Sequence, residues 1–184
     1  MPEGFVYAMK GSRFITHLKM LKNIEEPLHN FFEVIEPLQE KLGPILFQLP
    51  PGMKKDIPLL RNFIEQLPEG YRYVFEFRNN SWYGEDLLRL LDDTGAAFCI
   101  HDLPGKVSPL AVTGAFAYVR FHGALQAYSS SYSDEELETW AMKLKDYSNR
   151  GMDVFAYFNN DMGGFAVKNA AALKHVLKIP GGNT

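Results

Sequence analysis

The sequence contains a single cysteine, Cys99, among its 184 residues, which excludes an internal disulfide. Cys99 stands in the apolar run AAFCIHD, a setting typical of a buried and unreactive thiol. No apolar segment approaches the roughly 18–20 residues that cross a bilayer, and the N-terminus lacks the basic and apolar regions of a signal peptide. These absences predict a cytoplasmic protein with no membrane partner.

The chain also lacks an excess of charge of either sign. Its net charge is −3 and its pI is near 6.0, which argues against a strongly basic surface for nucleic acid. The contents of 46% hydrophobic and 22% charged residues are those of an ordinary globular protein. A chain of this length predicts one domain, spanning residues 1–184, with a sizeable core.

Six short apolar runs predict β-strands, at residues 4–11, 44–50, 71–78, 96–102, 115–123 and 153–160. Amphipathic stretches between them predict helices. Asp56 is a candidate N-cap, Pro37 a candidate kink, and Ser133 with Glu136 has the spacing of a capping box. Strands that alternate with helices predict a parallel sheet flanked by helices, that is, an α/β fold.

Parallel α/β folds are either doubly wound or closed as barrels. The segment MKGSRF after the first strand has one glycine, where a nucleotide-binding loop requires several. Polar residues follow almost every predicted strand, which is typical of the catalytic end of a barrel. We therefore predict a partial (β/α) TIM-barrel-like fold.

The stretch YRYVFEFRNNSWY shows how the polar ends arise. Successive side chains of a strand point to opposite faces, so Glu76 and Arg78 share one face and Phe75 and Phe77 the other. The apolar strand thus becomes ionic on one face at its carboxyl end. We interpret this as one part of a ligand-binding mouth. The alternative is an ion pair that only holds the sheet together.

The same reasoning at the other strand ends gives the predicted site. Glu76 and His122 are candidates for proton transfer, because an imidazole titrates near neutral pH. His101 is left out, since it points to the face opposite Asp102 in a regular strand. The predicted ligand contacts are Lys10, Gln48, Arg78, Trp82, Asp102, Arg120, Asn159 and Asn160.

A metal site is the less favoured alternative. Glu76, Asp102 and His122 could supply three oxygen or nitrogen ligands to a divalent ion. No HxH, HExxH or DxD spacing supports this set in the sequence. We therefore predict no metal ligands.

Six motifs together resemble one known family. They are MKGSRFITH (9–17), LGPILFQLPP (42–51), FEFRNNSWY (75–83), YVRFHG (118–123), YSDEELETWA (132–141) and YFNNDMGGFAVKNAAAL (157–173). In this order they resemble the YecE-like family, domain of unknown function 72. The resemblance implies a fold similar to a (β/α)₈ barrel and implies no particular activity. Its matching positions are Lys10, Thr16, His17, Gln48, Pro50, Glu76, Arg78, Trp82, Asp102, Arg120, His122, Gly123, Tyr132, Trp140, Asn159, Asn160, Gly164, Ala166 and Asn169.

The sequence also differs from the family in one respect. Members of the family usually open with further strand–helix units ahead of the segment FVYAMKG, and those units are not present in this sequence. We therefore expect an N-terminally truncated chain with about six of eight strand–helix units.

These observations lead to one function hypothesis and two alternatives. The first is that the mouth binds a small anionic or sugar-like ligand and hydrolyses or isomerises it. The second is a non-catalytic ligand-binding or regulatory module that uses the same residues. The third is a metal-dependent nucleic-acid-processing enzyme, which the pI disfavours.

Overall fold

A computed structural model describes residues 4–105 and 108–179. All strand pairs are parallel and the strand order follows the sequence, as predicted. The strands are β1 (Tyr7–Lys10), β2 (Leu42–Leu49), β3 (Tyr73–Phe77), β4 (Ala97–Asp102), β5 (Phe116–Phe121) and β6 (Asp153–Phe158).

Helices connect the strands. The α-helices of the described residues are α1 (Glu25–Ile35), α2 (Ile57–Glu65), α3 (Glu85–Asp93), α4 (Asp134–Asn149) and α5 (Phe165–Leu177). Short helical turns occupy Phe14–Leu18, Glu36–Lys41, Asn80–Trp82 and Met162–Gly164. Within the described residues, none of the helices combines the length and the apolar character that crossing a bilayer requires.

The chain divides into two compact units, the first ending at Phe98 and the second beginning at Cys99. In the first unit β2 pairs with β1 and β3, and β3 also pairs with the start of β4 through Val74–Ala97 and Phe75–Phe98. In the second unit β5 pairs with the rest of β4 and with β6. Each unit is described separately below.

The predicted helix caps are confirmed. The carboxylate of Asp56 accepts from the backbone N–H of Leu59 at 3.0 Å. The Ser133 hydroxyl accepts from Glu136 N–H at 3.2 Å, and the Glu136 carboxylate accepts from Ser133 N–H at 2.8 Å. The capping box therefore satisfies two backbone donors at the start of α4.

Pro37 does not form a kink inside a helix, as the sequence predicted, but lies after the end of one. The α-helix begins at Glu25, where two acidic residues in the first turn suit the positive end of the helix dipole, and it ends at Ile35. Pro37 lies in the 3₁₀ turn that follows. Because proline has no N–H to donate, the α-helical pattern stops before it.

The helix-packed side of the first unit is an aromatic layer. Phe47, Phe75 and Phe77 lie on the same face of β2 and β3, and Phe63 of α2 packs against Phe47 with ring centroids 5.0 Å apart. All four side chains are fully buried. This layer identifies the opposite face, which carries Gln48 and Glu76, as the face turned away from the helices.

The second unit repeats this arrangement. Phe121 of β5 packs against Trp140 of α4 at 5.0 Å and against Phe158 of β6 at 4.5 Å between ring centroids. Tyr132 closes the cluster at 5.5 Å from Phe121. Residues in register with Phe121 therefore face the helices, and their neighbours along each strand face away.

Candidate functional site

In the first unit, two polar pairs lie at the carboxyl ends of β1, β2 and β3. Lys10 Nζ donates to Gln48 Oε1 at 3.0 Å. Gln48 is in register with Glu76, whose carboxylate pairs with the guanidinium of Arg78. Glu76 is fully buried and the Arg78 side chain is 10% exposed. Glu76 and Arg78 thus share one face, as predicted, and the Arg78 guanidinium binds the Glu76 carboxylate.

Among the predicted contacts of the first unit, Trp82 is the one that the structure places on the other side of the sheet. It lies on the helix-packed side, fully buried, with its ring 4.9 Å from that of Phe77. Its indole N–H donates to the Met53 carbonyl at 2.8 Å. The sequence indicated an aromatic residue beside a ligand, whereas the structure makes Trp82 part of the core. The reason is that the chain turns at Asn80–Trp82 and carries the ring under the sheet.

In the second unit, the structure brings Arg120 and Asn159 together. Arg120 Nε donates to Asn159 Oδ1 at 2.9 Å. Arg120 is in register with Tyr157, and Asn159 N–H donates to the Phe121 carbonyl, which extends the ladder by one step beyond β6. Both side chains are half-buried. The amide therefore orients a guanidinium at the carboxyl end of β5.

His122 belongs to the same face as Arg120. The backbone N–H of His122 donates to the Asp102 carbonyl at 2.9 Å, so the strand pairing of β5, and with it the alternation of side chains, extends to His122. The imidazole is fully buried, and the ring of Tyr128, from the segment after β5, lies 5.5 Å away edge-on.

His101, like Tyr157, lies on this face although the sequence did not single it out. It is in register with Arg120, so it shares the face of Arg120 and His122, and its ring lies 6.4 Å from that of His122. The backbone N–H of His101 donates to Ser108 Oγ at 2.8 Å. The signal that could have found it is its position opposite Arg120 once β4 and β5 are aligned. We call the set His101, Arg120, His122, Tyr157 and Asn159 the polar face of the second unit.

Asp102 lies on the other side of the sheet. It is in register with Phe121, and the Trp140 indole N–H donates to its carboxylate at 3.3 Å. It lines a small cavity of about 220 Å³ together with Glu135, Glu136, Thr139 and Trp140. Burial raises the pKa of Asp102, against the opposing effect of hydrogen bonds from Trp140 and Tyr132. The structure therefore separates this predicted contact from the polar face.

The raised pKa of Asp102 gives a prediction for stability against pH. A carboxyl with a higher pKa in the folded state holds its proton while the unfolded chain releases it, so the free energy of unfolding falls as pH rises from about 3.8 through the folded pKa. We expect the difference in unfolding free energy, wild type minus Asp102→Asn, to decrease over that range. Urea denaturation at a series of pH values measures it. A difference independent of pH would contradict the prediction.

Asp86 provides the control of opposite sign. The hydrogen bond from Lys55, at 2.9 Å to Oδ2, lowers the pKa of this carboxyl. The stabilisation that Asp86 gives the folded state is therefore present above pH 3.8 and is lost as pH falls through the folded pKa of Asp86. We expect the difference in unfolding free energy, wild type minus Asp86→Asn, to increase as pH rises towards 3.8. Asp102 titrates above that pH, so the two effects fall in separate ranges.

Asn160 has a structural role, because its side chain links separate segments of the second unit. Its side-chain amide donates to the Ser130 carbonyl at 2.9 Å and to Asn169 Oδ1 at 2.8 Å, and the side chain is fully buried. Asn169 Oδ1 also accepts from the Tyr132 N–H. The two amides thus tie α5 and the end of β6 to the segment before α4. Asn159 and Asn160 are adjacent but serve opposite sides of the strand.

The described residues contain no group of three or more histidine, cysteine, aspartate and glutamate side chains arranged to hold a metal ion. Asp102 lies on the helix-packed side and Glu76 is paired with Arg78.

Three comparisons place the chain among known proteins. The model of the family described as "Protein of unknown function DUF72" matches residues 1–183. UPF0759 protein YunF of Bacillus subtilis (strain 168) is 30% identical, over 97% of this chain and 75% of that protein. The chain therefore spans about three quarters of this relative.

Solved structures agree with the family assignment. A DUF72 family protein from Thermotoga maritima MSB8 has a TM-score of 0.88 and 31% identity, over 97% of this chain and 75% of that one. A DUF72 family protein from Enterococcus faecalis V583 has a TM-score of 0.85 and 25% identity, over 98% and 81%. The parallel strands and the likeness confirm the predicted class, α/β and partial TIM-barrel-like. The chain belongs to the DUF72 family of proteins of unknown function.

Proposed function

We propose that the second unit binds a small anionic or polyhydroxylated ligand at the carboxyl ends of β5 and β6. The observation that carries the proposal is the half-buried guanidinium of Arg120, oriented by Asn159 at 2.9 Å. A planar guanidinium matches carboxylate and phosphate geometry, and its charge is present at every physiological pH. Orientation before binding reduces the conformational entropy that the ligand must offset.

The neighbouring groups support the same ligand class. The imidazoles of His101 and His122 and the phenol of Tyr157 lie on the face that carries Arg120. Imidazole and phenol groups both donate and accept hydrogen bonds, which suits hydroxyl groups as well as oxyanions. Burial raises the pKa of Tyr157, so this phenol keeps its proton at neutral pH.

Titration with three probes tests the proposal. Glucose 6-phosphate, glucose and inorganic phosphate are added to ¹⁵N-labelled chain, and binding is followed by NMR. We expect saturable binding of at least one probe. Arg120→Ala should weaken that binding about 10- to 100-fold, since hydrogen bonds to charged groups contribute about 1.5–3 kcal/mol. Arg120→Lys should be intermediate, because it keeps the charge without the planar fork.

Arg150→Ala is the matched control. Arg150 directly follows α4 in the same unit and its side chain is 54% exposed, and its removal changes the net charge by the same amount. Equal affinities of Arg120→Ala and Arg150→Ala would contradict the proposal, as would the absence of saturable binding for all three probes.

The same site allows a catalytic and a non-catalytic version of this function. In the catalytic version His122 transfers a proton during hydrolysis or isomerisation of a phosphorylated or sugar-like compound. ³¹P NMR of a sugar phosphate with wild type and His122→Gln distinguishes the two. Turnover that is lost in His122→Gln while binding persists supports catalysis. Binding without turnover by the wild type supports a binding module.

Glu76 stays a predicted proton-transfer residue of the first unit. Its pairing with Arg78 favours the alternative in which the two side chains stabilise the fold.

A further inference from the structure

The segment between β5 and α4 reaches the carboxyl ends of both β5 and β6. Its residue Tyr128 is held there by backbone hydrogen bonds on two sides. The Tyr128 N–H donates to the carbonyl of His122, directly after β5, and the Tyr128 carbonyl accepts from the N–H of Met162, after β6, at 3.3 Å. Tyr128 therefore lies at the strand ends where the ligand of the second unit is proposed to bind.

The loop that carries this tyrosine is closed tightly at its base. Gly123 has a φ of 108°, and a Cβ there would meet the Gln126 carbonyl oxygen at 2.6 Å and the Ser130 hydroxyl at 2.9 Å. The Ser130 hydroxyl accepts from the N–H groups of Leu125 and Gln126, each at 2.9 Å. The Ser130 carbonyl accepts from the side chain of Asn160 at 2.9 Å. The loop is therefore anchored to the residues that follow β6.

The backbone of Tyr128 is in the left-handed region, with a φ of 66°. Glycine adopts this conformation freely, whereas a tyrosine does so at a steric cost. Residues in such strained conformations cluster at sites of ligand binding and catalysis. The Tyr128 side chain is 48% exposed, so burial in the core does not account for an aromatic residue at this position. The strain and the exposure together indicate a role for the ring itself.

The ring of Tyr128 stands at the border of the polar face of the second unit. Its centroid lies 5.5 Å from that of the His122 imidazole, with the two ring planes at 85°. His122 follows Arg120 by two residues on the same face, a spacing of about 6.5 Å along a strand. Because His122 is fully buried and Tyr128 is half-exposed, the phenol ring has the imidazole on one side and solvent on another.

An exposed aromatic ring beside charged and hydrogen-bonding groups suits a particular kind of ligand. A sugar ring has C–H groups that pack on the electron-rich face of an aromatic side chain. Its hydroxyl groups suit imidazole and amide groups, and a phosphate on the sugar suits a guanidinium. Inorganic phosphate has no apolar surface, so it would leave the aromatic ring without a contact.

We propose that the ligand of the second unit is a cyclic sugar phosphate, whose ring stacks on Tyr128 while its phosphate binds Arg120. This inference rests on the function proposed above and narrows its ligand class. In this arrangement Tyr128 determines specificity for the sugar ring, and Arg120 contributes the affinity for the phosphate.

Two phosphate esters separate the contribution of the ring from that of the phosphate. Glucose 6-phosphate and glycerol 3-phosphate both carry a phosphate monoester and hydroxyl groups, but only the first has a ring. Their dissociation constants are measured by NMR with ¹⁵N-labelled chain at about pH 7.5, where both phosphates are largely dianions. We expect the wild type to bind glucose 6-phosphate about three- to tenfold more tightly, the effect of one aromatic contact.

Three variants test whether Tyr128 is the source of this preference. Tyr128→Ala should abolish the preference and leave the affinity for glycerol 3-phosphate unchanged, whereas Tyr128→Phe keeps the ring and should retain it. Leu125→Ala is the matched control, since Leu125 is 88% exposed in the same loop, and it should also retain the preference. A preference that persists in Tyr128→Ala, or that Leu125→Ala loses equally, would overturn the proposal.

The proton spectrum of the sugar gives a direct readout of stacking. Protons above the face of an aromatic ring shift upfield, so the ring protons of glucose 6-phosphate should shift upfield when it binds to the wild type and to Tyr128→Phe. The shift should be lost in Tyr128→Ala. Saturable binding to the wild type without an upfield shift would overturn the stacking contact.

Arg120→Ala distinguishes this inference from the function on which it rests. It should weaken the binding of both esters by the same factor, about 10- to 100-fold. If the wild type binds both esters equally and both depend on Arg120, the proposed function stands and the role of Tyr128 is wrong. If neither ester binds, the proposed function and the role of Tyr128 are both wrong.

Discussion

Replacing Arg78 by methionine is expected to lower the free energy of unfolding by about 3–5 kcal/mol, because it leaves a buried carboxylate without its guanidinium. Glu76 is fully buried and the Arg78 side chain is 10% exposed, so water cannot easily substitute for the lost partner. This cost is a large share of the roughly 5–15 kcal/mol that stabilises a typical domain. Urea denaturation followed by circular dichroism measures it.

Two controls show whether the ion pair is responsible. The double variant Glu76→Leu/Arg78→Met removes both charges and should recover most of the loss, since apolar residues often replace buried pairs without cost. Lys55→Met breaks the Lys55–Asp86 pair, whose side chains are 35% and 49% exposed, and should cost far less, because solvent screens exposed ion pairs. A small effect of Arg78→Met, equal to that of Lys55→Met, would contradict the structural role of the pair.

Replacing Trp82 by alanine is expected to cost about 3–5 kcal/mol of unfolding free energy, the usual range for a large buried aromatic side chain. The indole is fully buried against Phe77 and its N–H bonds to the Met53 carbonyl. The change would leave a cavity in the aromatic layer and an unsatisfied carbonyl. Urea denaturation with near-UV circular dichroism measures both the stability and the packing.

Trp82→Phe is the matched variant. It keeps an aromatic ring against Phe77 and loses the hydrogen bond to Met53, so its cost should lie well below that of Trp82→Ala. If Trp82→Ala unfolded like the wild type and instead weakened binding of a probe, the core position described here would be wrong and the predicted ligand contact would be supported.

The alternation of side chains between the two faces of a single strand could be predicted from the sequence. The pattern of β3 predicted that Glu76 and Arg78 share a face opposite Phe75 and Phe77, and the aromatic layer agrees with it. The capping box of α4 was equally local, because both partners lie within one turn. Local rules therefore predicted the strands, the caps and the general position of the polar groups.

Matching one strand to the next required the structure. A period of two groups Asp102 with Ile100, and Arg120 with His122, but it cannot tell which face of β4 corresponds to which face of β5. The register His101–Arg120 decides this, and it puts His101 rather than Asp102 beside Arg120. A shift of one residue would have given the opposite answer.

Residues beyond a strand end escaped prediction for a different reason. Trp82 lies past β3, where the pleat no longer sets the direction of a side chain, and the turn at Asn80–Trp82 places it in the core. Asn160 was predicted as a ligand contact, yet its hydrogen bonds to Ser130 and Asn169 tie separate elements together. Such partners lie 30 and 9 residues away along the chain.

The sequence by itself determined the alternation of strands and helices, the helix caps and the family, because each depends on nearby residues or on motifs that follow the family's order along the chain. Only the tertiary structure decided which polar strand ends share a face and which are paired. Those relations depend on register and on turn geometry, which sequence spacing alone leaves open.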